Sequence, residues 1–163
     1  MDKSKILLVY FSSTGITKRF SKYISETLNI NTYQIKEKKP YTQEDYGTSM
    51  NDNTRCQIEQ RDNKSRPEII TDDIPNLGNI STIILGFPIW SLIAPRVVQT
   101  FLEYKDLSGK RIIPFATSWQ SPIGDSEIHL HSSCPKAVWD KAIVFNQNSN
   151  KNVLTNWAKQ LKL

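Results

Sequence analysis

A chain of 163 residues, 38% apolar and 23% charged, is long enough for one well-buried domain and short for two, so a single domain over 1–163 is expected. No stretch approaches the ~20 apolar residues of a membrane span, the apolar run near the N-terminus is too short for a signal-peptide core, and Cys56 and Cys134 form no C-x-x-C pair. These features point to a reduced, cytoplasmic setting away from membranes, and the net charge of +5 falls entirely within residues 1–39, where eight Lys/Arg face three acids. No basic run with interleaved aromatics continues beyond that segment, which argues against nucleic acid as a partner.

In chain order, Ile6 to Phe11 are six apolar residues in succession, the pattern of a strand buried on both faces. The run ends at Ser12-Ser13-Thr14-Gly15-Ile16-Thr17, and Phe20, Tyr23, Ile24 and Leu28 then recur at helical spacing. Strand, hydroxyl-rich turn and helix place this loop at the positive end of a helix, where open amides and the dipole favour an anion. Lys18, Arg19 and Lys22 in the first turns are unfavourable there unless an anion binds beside them. Thr32 to Ile35 alternate as a short second strand. The polar stretch 36–79 follows, with Thr42-Gln43-Glu44-Asp45 resembling a capped helix start and Tyr46, Met50 and Ile58 a thin apolar stripe on an exposed crossover helix.

Thr82 to Gly86 read as a third buried strand, followed by the apolar loop Phe87 to Ala94 and a helix opening at Pro95 with Val98, Phe101 and Leu102 inward. Arg111 to Ala116 form a fourth strand, then the loop 117–124, a short helix from Asp125 to about Ser132, a last strand within 137–145, and a closing helix bearing Val153, Leu154, Trp157 and Leu161. Five strands alternating with helices predict an α/β fold, a doubly wound parallel sheet of order 2-1-3-4-5. Ligands in such sheets bind beyond the carboxyl ends of the strands, where the loops 12–17, 87–94 and 117–124 converge.

Ser12-Ser13-Thr14-Gly15-Ile16-Thr17 satisfies [Ser/Thr]-x-Thr-Gly-x-Thr and resembles the FMN phosphate loop of flavodoxins. Gly86-Phe87-Pro88-Ile89-Trp90 with Ala94-Pro95-Arg96 resembles the strand-3 segment of one bacterial flavodoxin-like family, in which a tryptophan lies against the isoalloxazine ring. In the third loop that family shows Thr-Ser-Gly-Gly-Ser-x-Ile-Gly, and this chain has Thr117-Ser118-Trp119-Gln120-Ser121-Pro122-Ile123-Gly124. The resemblance implies a flavodoxin-like fold and an FMN site made of Ser12, Ser13, Thr14, Gly15, Ile16, Thr17, Pro88, Ile89, Trp90, Thr117, Ser118, Trp119 and Gln120. Trp119 and Gln120 replace two small residues, so Trp119 either covers the ring as a second wall or packs onto the following helix.

Other motifs read as structural. His129 and His131 lie two apart on different helix faces, and Cys56 has its arginine, Arg61, one residue too close for a phosphatase loop. Neither G-x-G-x-x-G nor a Gly-Lys-[Ser/Thr] loop occurs. The resemblance implies electron transfer with a redox partner protein. The alternative is an FMN-dependent NAD(P)H reductase of quinones or similar small acceptors, favoured by a basic chain where carriers are generally acidic. A cofactor-free binding module is a third reading, supported by the altered third loop. Because residues 87–95 lack glycine, weak stabilisation of one-electron-reduced flavin is expected.

Overall fold

The computed structural model describes residues 2–163. The parallel sheet is built from β1 (Ile6–Tyr10), β2 (Asn31–Gln34), β3 (Thr82–Pro88), β4 (Arg111–Ser118), β5 (Val138–Trp139) and β6 (Ile143–Asn146). Its order is β2-β1-β3-β4-β5, with β6 also parallel to β4. The helices are α1 (Ile16–Leu28), α2 (Arg55–Arg61), α3 (Arg96–Tyr104), α4 (Ser126–Ser133) and α5 (Lys151–Gln160).

The apolar run in β1 is explained by two cores sharing one strand. Leu7 and Val9 belong to a core with Ile83 and Leu85 of β3 and with Val97, Val98, Phe101 and Leu102 of α3. Ile6, Leu8 and Tyr10 face the opposite core with Phe20, Ile24 and Leu28 of α1 and Leu154 and Ala158 of α5. A strand alternates its side chains, so covering both faces requires apolar residues at every position.

The fifth position of the expected 2-1-3-4-5 order is filled by two short strands rather than one continuous strand. The break lies at residues 140–142. The Asp140 carboxylate takes the Arg111 guanidinium through contacts of 3.0 and 2.6 Å, and the Ala142 N–H donates to Glu127 Oε1 at 2.8 Å. The Asp140 N–H still donates to Ile112 O at 2.9 Å, while a side chain takes the Ala142 amide before the ladder with β4 resumes.

The crossover from β2 to β3 departs further from the sequence reading. Thr42 opens only a 3-10 turn over Gln43–Asp45, closed by Thr42 N–H on Asp45 Oδ2 at 2.8 Å. The next residues turn on themselves, because Asp52 Oδ2 accepts the amides of Thr48 at 2.6 Å and Ser49 at 2.9 Å. Short polar side chains that bond nearby backbone compete with helix, which delays α2 to Arg55. Once formed, α2 buries Cys56 and Gln60 and leaves Ile58 exposed, the reverse of the expected stripe.

Candidate functional site at the carboxyl edge of the sheet

Strands β1, β3 and β4 end side by side, with Tyr10 paired to Gly86 and Pro88 paired to Thr117. The loops that follow them therefore leave one edge of the sheet together.

The first loop turns through Gly15, at φ +90°, directly into α1. An added Cβ there would meet nothing within 4 Å, so glycine is required by the torsion and not by crowding. No side chain caps the helix, and the first hydrogen bond into it is Arg19 N–H to Gly15 O at 3.0 Å. The amides of Ile16, Thr17 and Lys18 are left open, as the first turn of a helix must leave them without a cap. Ser12 Oγ accepts the Gly15 N–H at 3.2 Å, which frees its own proton to donate outward. Ser13 is half-buried, Thr14 is exposed, and no acidic residue sits in the first turn of α1. Open amides, free hydroxyls and the positive end of a helix dipole, with no carboxylate among them, fit a phosphate monoester. Among the described residues no His/Cys/Asp/Glu cluster could hold a metal ion.

Thr17 is placed differently from its neighbours. Its side chain is buried, and Oγ1 lies 2.7 Å from Thr117 Oγ1 at the end of β4. A hydroxyl donates once and accepts twice. With Thr117 as donor, Thr17 keeps a proton for an anion; in either direction the pair ties the first loop to the third.

The second loop begins with Pro88 as the last residue of β3, and Ile89 N–H donates to Thr117 O at 3.0 Å. Trp90 and Ile93 then exchange backbone hydrogen bonds of 2.9 and 3.1 Å across Ser91 and Leu92, both at positive φ. The Trp90 ring is half-buried in an aromatic cluster, edge-to-face with Phe11, Tyr41 and Tyr46 at centroid distances of 5.6, 5.0 and 5.5 Å. Tyr46 also neighbours the Ser13 side chain, which joins this cluster to the first loop.

Tyr41 is anchored behind Trp90. Its hydroxyl donates to Glu59 Oε2 at 2.5 Å, and the Arg55 guanidinium covers its ring at 4.1 Å while bonding Glu59 Oε1 at 2.8 Å. Burial, reinforced by the Glu59 carboxylate, holds the Tyr41 hydroxyl well above the ordinary tyrosine range. The nearby Cys56 thiol is pushed up to about 12, chiefly by burial and then by the charges of Glu59 and Asp45. It stays a neutral thiol, not a nucleophilic thiolate.

In the third region, Thr117 and Ser118 are the last residues of β4 and are buried, so the loop proper starts at Trp119. Ser118 Oγ accepts Ser121 N–H at 2.8 Å, and Asn146 Nδ2 donates to Trp119 O at 2.6 Å. The backbone of Trp119 is thereby fixed while its ring is 56% exposed; Gln120 is exposed beside it. Of the two placements open to Trp119, the structure shows a projecting ring rather than one packed on α4. Gly124, at φ +55°, lies so close to the second loop that a Cβ would come 1.9 Å from Leu92 O. The second and third loops are therefore in backbone contact.

All thirteen site residues expected from sequence lie on these three segments, ten in the loops and on α1's first turn, with Pro88, Thr117 and Ser118 closing β3 and β4. A flavodoxin family model matches residues 5–161. The chain belongs to the flavodoxin family. A candidate flavoprotein of Bacteroides uniformis is 37% identical and superposes with a TM-score of 0.86, covering 96% of this chain and 98% of its own. One from Bacteroides eggerthii is 33% identical at a TM-score of 0.85, covering 98% of each chain. A Lactobacillus acidophilus flavoprotein solved in complex with FMN shares the fold at 18% identity and a TM-score of 0.67, covering 93% of this chain and 98% of its own. No curated protein matches the sequence.

Within this flavodoxin fold, the sequence reading missed the contribution of the crossover. Tyr41, Tyr46, Gln57 and Gln60 all reach the second loop. Two tyrosines five residues apart in an otherwise polar stretch were the available signal. The glutamines offered none, because an amide on a short polar helix reads as solvated surface.

Proposed function

We propose that this chain binds FMN noncovalently and carries electrons, exchanging them with a redox partner protein. The observation that carries the reading is the uncapped start of α1, whose open amides meet the hydroxyls of Ser12, Ser13 and Thr14 at the end of a buried strand. Ser12, Ser13, Thr14, Gly15, Ile16 and Thr17 would hold the phosphate. Trp90 and Trp119 would flank the ring, with Pro88, Ile89, Thr117, Ser118 and Gln120 lining it. Bound FMN would supply the one- and two-electron chemistry, and the protein would set orientation, access and potential. Family membership and the FMN complex of the Lactobacillus protein with the same fold support this reading. Titration of the flavin-free protein with FMN, followed by quenching of flavin emission, should saturate at one equivalent; absence of quenching would overturn the proposal.

The exposed Trp119 ring favours a second reading. Its open face offers an apolar plane on which a planar small acceptor could rest. The chain would then be an FMN-dependent NAD(P)H reductase of quinones or similar acceptors. Rapid bleaching of the bound flavin by NADPH alone would establish that activity. Bleaching only through a separate reductase would establish the carrier.

A further inference from the structure

The short crossover helix α2 places two amide side chains behind the loop that carries Trp90. Gln60 is buried, with its amide nitrogen and its oxygen both hydrogen-bonded. Its Nε2 donates to Trp90 O at 2.8 Å, and the second hydrogen is shared between Ile93 O at 3.4 Å and Ala94 O at 3.3 Å. Its Oε1 accepts Arg96 N–H at 3.3 Å, the first amide of α3 and one that a helix start leaves open. Exchanging oxygen and nitrogen would aim an acceptor at three carbonyls, so the surroundings dictate the amide orientation. One turn earlier, Gln57 Oε1 accepts Ser91 Oγ–H at 2.6 Å. The end of α2 is held in return: the buried Arg96 guanidinium donates to Gln60 O at 2.8 Å and to Glu59 O at 3.4 Å.

The turn gripped in this way is closed by the two backbone hydrogen bonds between Trp90 and Ile93, but those bonds do not fix its position against α2. Ser91 at φ 48° and Leu92 at φ 69° are both left-handed and neither is glycine, a strained pair that persists only where its surroundings impose it. Packing does not impose it from behind. A cavity of about 210 Å³ lies between Trp90 and α2, bordered by Tyr46, Cys56, Gln57 and Ser91. Directed hydrogen bonds therefore set where this turn sits.

We infer that Gln60, assisted by Gln57, is a positioning residue for the site: it holds the Trp90–Ile93 turn in place and with it the face that Trp90 presents to FMN. The link to FMN rests on the reading given above, whereas the hold on the turn does not.

The test uses Gln60→Met, which keeps the length and removes the amide, and Ser91→Ala, which removes only the bond to Gln57. Amide hydrogen exchange at Trp90 and Ile93 is measured in flavin-free protein, together with the FMN dissociation constant. Loss of the Gln60 bonds should speed exchange at both amides by about tenfold, while Ile84 and Ile113 in the sheet stay protected. FMN binding should weaken by about tenfold in Gln60→Met and by about two- to threefold in Ser91→Ala. Unchanged exchange at Trp90 and Ile93 in a folded variant overturns the positioning role. Faster exchange with unchanged FMN affinity overturns the link to the site. If the unaltered protein does not bind FMN, the proposed function fails while the exchange data still decide the hold on the turn. Should Gln60→Met not fold, Gln60→Asn, which keeps the amide but falls one methylene short of the Trp90 carbonyl, decides by the same two measurements.

Discussion

Gly15→Ala isolates the torsion on which the proposed phosphate cradle depends. Gly15 sits at φ +90° and ψ −5°, and nothing lies within 4 Å of where a Cβ would be. Alanine therefore costs no steric clash, only the left-handed torsion, about 1–2 kcal/mol. For a domain of this size each kcal/mol is worth about 2–4 °C, so the flavin-free protein should melt about 2–8 °C lower. If the backbone instead rotates to relieve the torsion, the open amides at the start of α1 swing out of register with the anion. Losing one charge-assisted bond of about 1.5–3 kcal/mol weakens FMN roughly ten- to 150-fold. Thermal melts without flavin and fluorescence titrations with FMN separate the two costs. Gly15→Asn is the internal control, because asparagine tolerates left-handed torsions and the open space admits its side chain. It should recover much of both losses. Equal damage from alanine and asparagine, or none from alanine, would refute the torsional argument.

Thr117→Val should leave the buried Thr17 hydroxyl without its partner, lower stability by about 1–3 kcal/mol in urea unfolding and weaken FMN binding, with Thr117→Ser restoring both. Trp119→Gly touches an exposed ring, so its melting temperature should stay close to the native value while FMN affinity falls about three- to tenfold, read by flavin fluorescence. The Tyr41 hydroxyl has its pKa raised by burial and then by Glu59, so its contribution to stability is fully present below the ordinary tyrosine value, about 10, and declines as pH rises beyond it. The unfolded chain releases that proton first. Chemical unfolding between pH 8 and about 11 should show this decline in the native protein and a shallower one in Tyr41→Phe.

The strand, turn and uncapped helix of the proposed phosphate cradle were legible because their determinants are local. A buried strand, a turn that needs glycine and a helix without a cap are all encoded within Ile6 to Leu28, and the structure repeats that reading with little change. Periodicity also sufficed for β3, β4 and α3, and for α5 through Leu154 and Trp157, although Val153 of α5 is exposed. The crossover was misread because its apolar residues are few and its polar ones act at a distance. Ile58, read as part of the apolar stripe, is exposed, and Gln60, which no apolar pattern singled out, is buried against the carbonyls of Trp90 and Ala94. The split between β5 and β6 was likewise hidden, since the ion pair of Arg111 with Asp140 joins residues far apart in the chain.

The sequence by itself thus determined the sheet order, the family resemblance and the strand, turn and helix around Ser12 to Thr17 that are proposed to seat an anion, because hydrophobic period and turn chemistry act between near neighbours. Only the tertiary structure decided how the three loops are locked together. Thr17 meets Thr117, Gly124 abuts Leu92, and Gln60 reaches Trp90, contacts made by long-range packing that no local pattern records. It also decided that Trp119 projects while Trp90 is half-covered, because exposure depends on which distant rings, here Phe11, Tyr41 and Tyr46, arrive beside it.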